Sequence, residues 1–208
     1  MKFVKNTKYY SGIVYEWNLP TGWTCPFANE CLVKVDRDTG KFQNKSKLYK
    51  CYAANAERFP AVRNHRWNNL EYVKSGKVPE LPINCSAIRI HASGDFFSQS
   101  YFDVWLDIAK KHPDVEFWAY TKSINYWVNS INKVPANLEL TASYGGKHDN
   151  LISLHNLKNV KVYKNKNEVP ANISVDTNDD LARNKNVKEF ALIDNFIKKE
   201  NNSIKLIL

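Results

Sequence analysis

Hydrophobic and polar positions fall into a regular order from about residue 85 onward. Short apolar runs that read as strands, SAIRIHA (86–92), VEFWAYT (115–121), LELTAS (138–143) and VKVYK (160–164), alternate with segments that read as helices, SYFDVWLDIAKKH (100–112), INYWVNSIN (124–132) and HDNLISLH (148–155). That alternation predicts βαβ units in a parallel sheet. KEFALIDNF (188–196) adds a last strand before the lysine-rich stretch 197–205. Upstream the pattern has no simple period. SGIVYEWNLP (11–20) reads as a strand ending at Pro20, followed by a cysteine-bearing segment with a turn at RDTGK (37–41). Two helices follow, YAANAERF (52–59) and VRNHRWNNLEYVKSG (62–76), the second closed by Gly76.

No repeat or linker interrupts this order, so one α/β domain is expected over 1–208. It divides into a cysteine loop with helices (20–78), regular βα units (85–165) and a tail (166–208). The class is an incomplete (β/α) barrel or an open parallel sheet, with the cysteine loop after the first strand. A closed eight-unit barrel typically needs about 250 residues, more than this chain has.

The class locates the chemistry, because ligands of parallel sheets sit at the carboxyl ends of the strands. The residues just past the strands are His91, Ser93, Gly94 and Asp95, then Tyr120, Thr121 and Lys122, then Thr141, Ser143, Tyr144, Gly145 and Gly146. Three of the four cysteines belong to the same expected rim. Five residues separate Cys25 from Cys31 and nineteen separate Cys31 from Cys51, while Cys85 precedes its strand and falls at the opposite edge. Cys85 reads as a small, buried apolar residue. The other three form a candidate three-thiolate metal site. It suits an iron–sulfur cluster with one iron held by another group or left open, or zinc completed by His91 or another side chain. The spacing does not match the C-x2-C pairs of zinc ribbons, and three unrelated buried thiols would also account for it.

Composition narrows the setting. The 43% apolar and 25% charged residues are those of a globular protein, no run approaches the roughly 20 apolar residues of a membrane span, and the first residues lack a signal-peptide core. A cytoplasmic location is therefore expected, where cysteines serve metals or catalysis more than disulfides. The net charge of +9 fits a nucleic-acid partner, and equally an AT-rich genome that scatters lysine among asparagine. Arg58, Arg63, His65, Arg66 and Trp67 form a basic and aromatic cluster, read either as a nucleic-acid contact or as a solvated helix face with one buried Trp.

The stretches NLPTGWTCPFANEC, CYAANAERFP, IRIHASGDFFSQSYFDVWLDIAKKHPDV, AYTKS, LTASYGG and VDTNDDLARNKNVKEFALI, in this order, resemble the bacteriophage family called gene product 88 over nearly the whole chain. The resemblance implies a phage or prophage origin and a cysteine-containing site, and no particular reaction. A positional likeness to radical S-adenosylmethionine enzymes is weaker. Those proteins follow their first strand with a cysteine loop holding a 4Fe-4S cluster, and their second with a Gly-Gly-Glu-like motif, where this chain has Ser93, Gly94 and Asp95. The compact C-x3-C-x2-C signature is absent and aspartate replaces the glutamate.

The expected function is thus an iron–sulfur protein of phage origin, its cluster on Cys25, Cys31 and Cys51. His91, Ser93, Gly94, Asp95 and Ser143 would line a pocket for a small molecule such as S-adenosylmethionine, and Asp95 and Lys122 would serve redox or radical chemistry. The opposing expectation is a basic, non-enzymatic phage protein that binds nucleic acid or a host protein and holds a structural metal such as zinc. Weaker candidates are the glycine amides of YGGKHD (144–149) as a phosphate cradle, and Asp176, Asp179 and Asp180 as a cation site or a helix cap.

Overall fold

A computed structural model describes residues 2–6, 13–29, 31–43 and 51–194. In chain order the elements are β1 (Val4–Asn6), β2 (Val14–Trp17), β3 (Lys34–Val35), β4 (Phe42–Gln43), α1 (Tyr52–Ala56), α2 (Pro60–Lys74), β5 (Ala87–Ile90) and α3 (Gln99–Lys111). There follow β6 (Glu116–Thr121), α4 (Ile124–Asn129), β7 (Leu138–Ser143), α5 (Asn150–Leu154), β8 (Asn159–Tyr163), α6 (Asp180–Arg183) and β9 (Glu189–Ile193). Every strand and helix expected from residue 85 onward is present. The strand expected over 11–20 is described from residue 13, and residues 195–208 of the expected tail lie outside the described residues. Three features were not anticipated: the edge strand β1, the pairing of β3 with β4 about the RDTGK turn, and α6.

Seven strands form one sheet in the order β1-β2-β5-β6-β7-β8-β9. Only β1 runs antiparallel; the other six are parallel and adjacent in the order in which the chain makes them. Right-handed crossovers in a single sequential direction put successive helices on one side of a sheet, and α2 to α5 follow that rule, whereas α6, between β8 and β9, packs on the other side. Ile88, Ile90, Phe117, Ala119, Leu138 and Leu140 share a core with Leu70 of α2, Phe102, Trp105 and Leu106 of α3, Ile124 of α4 and Ile152 of α5. The alternate strand positions Val14, Ala87, Trp118, Val160 and Phe190 face the other way and pack with Ala182 of α6. The architecture is mixed α/β around a mostly parallel sheet.

Helix α3 illustrates how the sequence builds the main layer. Ser98, in extended conformation, caps it by accepting the Tyr101 amide, and Lys110 and Lys111 fall in the last turn, where cations suit the helix dipole. Tyr101, Phe102, Trp105, Leu106, Ile108 and Ala109 form its buried stripe. Trp105 and Phe102 are fully enclosed, each contributing about 3 kcal/mol by burial.

The segment after β2 is stitched to the segment after β5. The Ser93 amide donates to Asn18 Oδ1 at 2.9 Å, its hydroxyl to the Leu19 carbonyl at 2.8 Å, and the Leu19 amide to the Ser93 carbonyl at 2.9 Å. Gly94 adopts φ +86°, and a Cβ there would stand 2.6 Å from Thr24 Oγ1 and 2.8 Å from Leu19 Cβ. Gly76, which closes α2, has φ +80° but open space around the same position. Gly76→Ala is therefore expected to cost only the left-handed backbone strain, about 1–2 kcal/mol, whereas Gly94→Ala adds overpacking of a further 1–3 kcal/mol. Urea denaturation of both variants checks this, and equal losses would mean that Thr24 and Leu19 yield freely.

Candidate functional site at the carboxyl rim

All six parallel strands end on the same edge, and the cysteine loop lies across it. Beyond the stitch to Ser93, the loop reaches the end of β7. The Asn29 amide donates to the Gly145 carbonyl at 3.1 Å, the Lys147 amide to the Phe27 carbonyl at 2.8 Å, and Ala28 bridges Gly146. The residues between Pro20 and Ala28 therefore span the rim from β5 to β7. Cys51, in extended conformation, is the residue before α1, so its sulfur sits where that helix begins.

A buried network holds these two cysteine-bearing pieces together. Glu57, fully buried, accepts the Thr21 amide at 2.8 Å and Arg66 at 2.9 Å, while Arg66 also donates to the Ala53 carbonyl. Arg63 donates to the carbonyls of Glu57, Arg37 and Asp38, tying the β3–β4 turn to the same point. Two members of the basic cluster seen in the sequence thus point inward. Trp67 packs against Trp23 with Arg37 over its ring, so its aromatic surface is also engaged.

The three thiols sense one another. Burial pushes Cys25 well above its ordinary value, with Asp95, Cys51 and Cys31 each adding to the rise and the Gly22 amide opposing it. Cys51 is pushed up to about 11 by burial and then by Cys31, against the amides of Ala54 and Ala53 at the start of α1. Cys85 is raised by burial and by no other thiol. It sits before β5 and packs against the helix-side core. Among the described residues no group of three or more His, Cys, Asp or Glu side chains stands close enough to hold a metal ion.

Asp95 is buried beneath Cys25. It accepts the Phe96 amide at 2.8 Å, the Thr121 hydroxyl at 2.6 Å and the Lys122 amide at 2.8 Å, which joins the end of β5 to the end of β6. Of a carboxylate's roughly four acceptor positions these take three. Lys122 Nζ donates to Ser143 Oγ at 2.7 Å and to the carbonyls of Ser143 and Tyr144, extending the bracing to β7. Ser93 and Gly94 serve the stitch already described. His91 lies apart from these groups. With φ +63° its ring enters the helix-side aromatic core, Nε2 2.9 Å from the Tyr101 hydroxyl and the ring 4.7 Å from that of Phe96. The structure thus brings Cys25, Cys31, Cys51, Asp95, Lys122 and Ser143 to one rim, and turns His91 beneath it.

The weaker candidates resolve into local structure. The amides of Gly145 and Gly146 donate to the two oxygens of Asp149, so a carboxylate fills the expected phosphate cradle. Asp176 accepts the amides of Leu181 and Ala182, the helix-cap reading of that cluster. Two surface cavities of about 270 and 310 Å³ lie elsewhere, one around Glu116, Asn137 and Arg183 and one around Lys2, His65 and Asn69. No described helix is long and apolar enough to cross a membrane.

Sequence reasoning missed a second polar group, on the sheet face opposite α2 to α5. Arg89 of β5 pairs with Asp179, whose carboxylate also accepts the Tyr120 hydroxyl at 2.9 Å and Trp118 Nε1 at 3.3 Å. The available signal was an arginine inside the otherwise apolar strand AIRI. Tyr52 links this group to the thiols. Its hydroxyl donates to the Ala92 carbonyl, and burial raises its pKa, with Arg89, Cys51, Asp179 and Glu16 as its charged neighbours. Tyr52 is nonetheless 54% exposed.

A sequence model of the family described as Gene product 88 matches residues 2–203. The "Gene 88 protein" of Mycobacterium phage L5 is 30% identical over 131 residues, and that of Mycobacterium phage D29 is 28% identical over 134. Each alignment covers 53% of this chain and 48% of the relative, so the match spans about half the length of either protein. No solved structure matches the chain.

Two buried groups, Asp95 at the rim and His91 beneath it, give opposed pH dependences. Burial raises Asp95 from 3.8 to about 6, so the native state holds a proton that the unfolded chain has released. That stability is fully present below pH 4 and is lost as pH rises through 6, by about 3 kcal/mol at 1.36 kcal/mol per unit. Burial lowers His91 from 6.5 to about 3, so its contribution is present above pH 6.5 and is lost as pH falls toward 3. Between pH 4 and 6 the two offset each other. Urea denaturation across that window should give a shallow profile for the wild type, a profile rising with pH for Asp95→Asn and one falling with pH for His91→Gln. Parallel profiles for all three proteins would contradict the assignment.

Proposed function

This chain belongs to the Gene product 88 family, and on that footing we propose that it is a phage iron–sulfur protein whose cluster is held by Cys25, Cys31 and Cys51 at the carboxyl rim of an incomplete (β/α) barrel. The observation that carries this reading is the convergence of three thiols spread over 27 sequence positions, Cys31 raising the pKa of both Cys25 and Cys51 and Cys51 raising that of Cys25, with Cys85 left out. The sequential order of six parallel strands, with α2 to α5 on one face, supports the barrel.

The donor set fits a cluster better than a single ion. A tetrahedral zinc site, at about 2.3 Å per Zn–S bond, draws its sulfurs nearly into contact. Five residues between Cys25 and Cys31 do not make the C-x2-C pair of a zinc ribbon, and three thiolates with a fourth position open suit a cluster. Desolvated, neutral thiols that oppose one another's ionisation are what such a site presents before loading, since a metal replaces the thiol protons. When bound, a cluster of this kind supplies one-electron redox chemistry.

The remaining rim residues have definable tasks. Asp95 and Lys122 fix the ends of β5, β6 and β7 relative to Cys25, and Asp95 keeps one acceptor position for a donor on a bound small molecule. The positional likeness to radical S-adenosylmethionine enzymes makes S-adenosylmethionine the candidate for that molecule, with its ammonium as the donor to Asp95.

Anaerobic purification with an absorption spectrum and analysis for iron, acid-labile sulfide and zinc tests the reading. The expected result is a brown protein that loses iron and sulfide in Cys25→Ala, Cys31→Ala and Cys51→Ala, and keeps them in Cys85→Ala. A colourless protein, with stoichiometric zinc or no metal, overturns the cluster. It would favour the basic module that binds nucleic acid or a host protein, whose affinity should fall steeply with salt.

A further inference from the structure

Three donors from the sheet face converge on one carboxylate. Arg89 Nε stands 3.2 Å and Trp118 Nε1 3.3 Å from Asp179 Oδ2, and the Tyr120 hydroxyl stands 2.9 Å from Oδ1. Arg89 lies 5.6 Å from the centre of the Tyr120 ring. The arrangement is a receptor for a planar anion with two oxygens, built on the central strands β5 and β6, where backbone position is firmly set. Its location is the face opposite the main helix layer. Tyr52, the neighbour of Cys51, counts both Arg89 and Asp179 among its charged neighbours.

Asp179 comes from the segment before α6, and that segment is anchored without it. Ser174 and Asp176 pair with Ala191 of β9, the Asp176 carboxylate caps Leu181 and Ala182, Lys158 donates to the carbonyls of Ala182 and Asn184, and Arg183 makes two bonds to Glu116. Asp179 itself has φ +64°, a conformation that costs a non-glycine residue about 1–2 kcal/mol. A strained residue adds its carboxylate to a segment already held at several other points. A physical reason lies in Arg89: a guanidinium whose side chain is only 17% exposed needs a counter-charge whether or not a ligand is present.

We propose that Arg89, Trp118 and Tyr120 form the subsite that reads a carboxylate group of the protein's ligand, and that Asp179 occupies it in cis until that ligand arrives. The subsite stands whether or not the thiols hold a cluster, because its three donors and its carboxylate come from β5, β6 and the turn before α6 and include no cysteine. A ligand carboxylate takes the three donors, and Asp179 with the turn before α6 is released toward solvent.

Succinate serves as the probe, with sodium chloride of equal ionic strength as the control and inorganic phosphate as the test for a general anion site. In the wild-type protein, saturating succinate should raise amide hydrogen exchange over residues 177–181, as Asp179 leaves, and chloride should not. Asp179→Gly removes the carboxylate and suits the positive φ. It should bind succinate roughly tenfold or more tightly than the wild type, because the intramolecular competitor is gone, and Arg89→Gln in that background should abolish the gain. Binding to Asp179→Gly without any change of exchange in the wild type would make Asp179 a permanent tie and overturn the proposal. Equal response to phosphate would overturn its carboxylate selectivity. If the glycine variant does not fold, the wild-type exchange measurement still decides. Metal content read on the same samples keeps the outcome separate from that of the cluster.

Discussion

The cysteine-bearing part of the protein depends on one buried carboxylate. Glu57 has no exposure to solvent, and its Oε1 accepts from both the Thr21 amide and Arg66, while its backbone carbonyl accepts Arg63. Thr21 begins the loop that carries Cys25, Arg66 belongs to α2, and Glu57 itself follows α1, which starts beside Cys51. A charge in this position is stable only while its partners remain, and loss of either partner from a buried pair typically costs about 3–5 kcal/mol. The placement of Cys25 relative to Cys51 therefore depends on an ion pair and backbone hydrogen bonds, to which Trp23 against Trp67 and Phe27 against Tyr126 and His148 add ring contacts. The small cluster beside it comprises Val33, Val35 and Ala54, with Phe42 and Cys51 packed against it. Polar bonds have directional preferences that hydrophobic contact lacks, so they fix the loop's orientation as well as its proximity to α1 and α2.

The βα half of the fold was legible because its information is local. Strands such as VEFWAYT are buried on both faces and read as continuous apolar runs, and Ser98, Gly76 and Pro113 punctuate the helices where the chain stops and starts them. β1 was not legible: three residues with Lys5 at the centre carry no apolar pattern, and the strand exists because β2 offers it an edge. β3 and β4 are two residues each and too short for a period, although the turn between them was evident. Residues near the end of the expected tail strand, and the lysine-rich stretch beyond it, fall outside the described residues.

The rim was legible in outline and the roles within it were not. That Asp95, Lys122 and Ser143 share the rim with the cysteine loop follows from parallel topology, since all are placed at strand ends. That His91 turns away depends on a single positive φ, and nothing in the sequence around a histidine between Ile90 and Ala92 announces it. Arg63 and Arg66 looked like surface charge because arginine usually is. Their burial follows from a partner, Glu57, six and nine positions earlier, and from carbonyls that no sequence pattern marks. Charge recognised from sequence lacks its sign of direction until the fold supplies the partner.

The two faces of the sheet differ in polarity, and the difference follows from topology. With α2 to α5 on one side, that face carries the large aromatic core of Trp17, Trp105, Phe96 and Phe102. The other face is packed by the short α6 and carries a smaller core of Val14, Trp118 and Phe190. It is there that strand positions which would otherwise be apolar are given to Glu16, Arg89 and Glu139, adjacent in register across β2, β5, β6 and β7 with Trp118 between them. Charged residues at central strand positions sacrifice burial, worth about 1.5–3 kcal/mol for each apolar side chain they displace. One such substitution could be compensated locally, but a row at one level of the sheet, paired with Asp179 and Lys158 from outside it, is a polar floor beneath the rim that carries the thiols. A floor of that kind orients polar groups more effectively than it stabilises a fold, and its distance from the main core lets it do so at limited cost to stability.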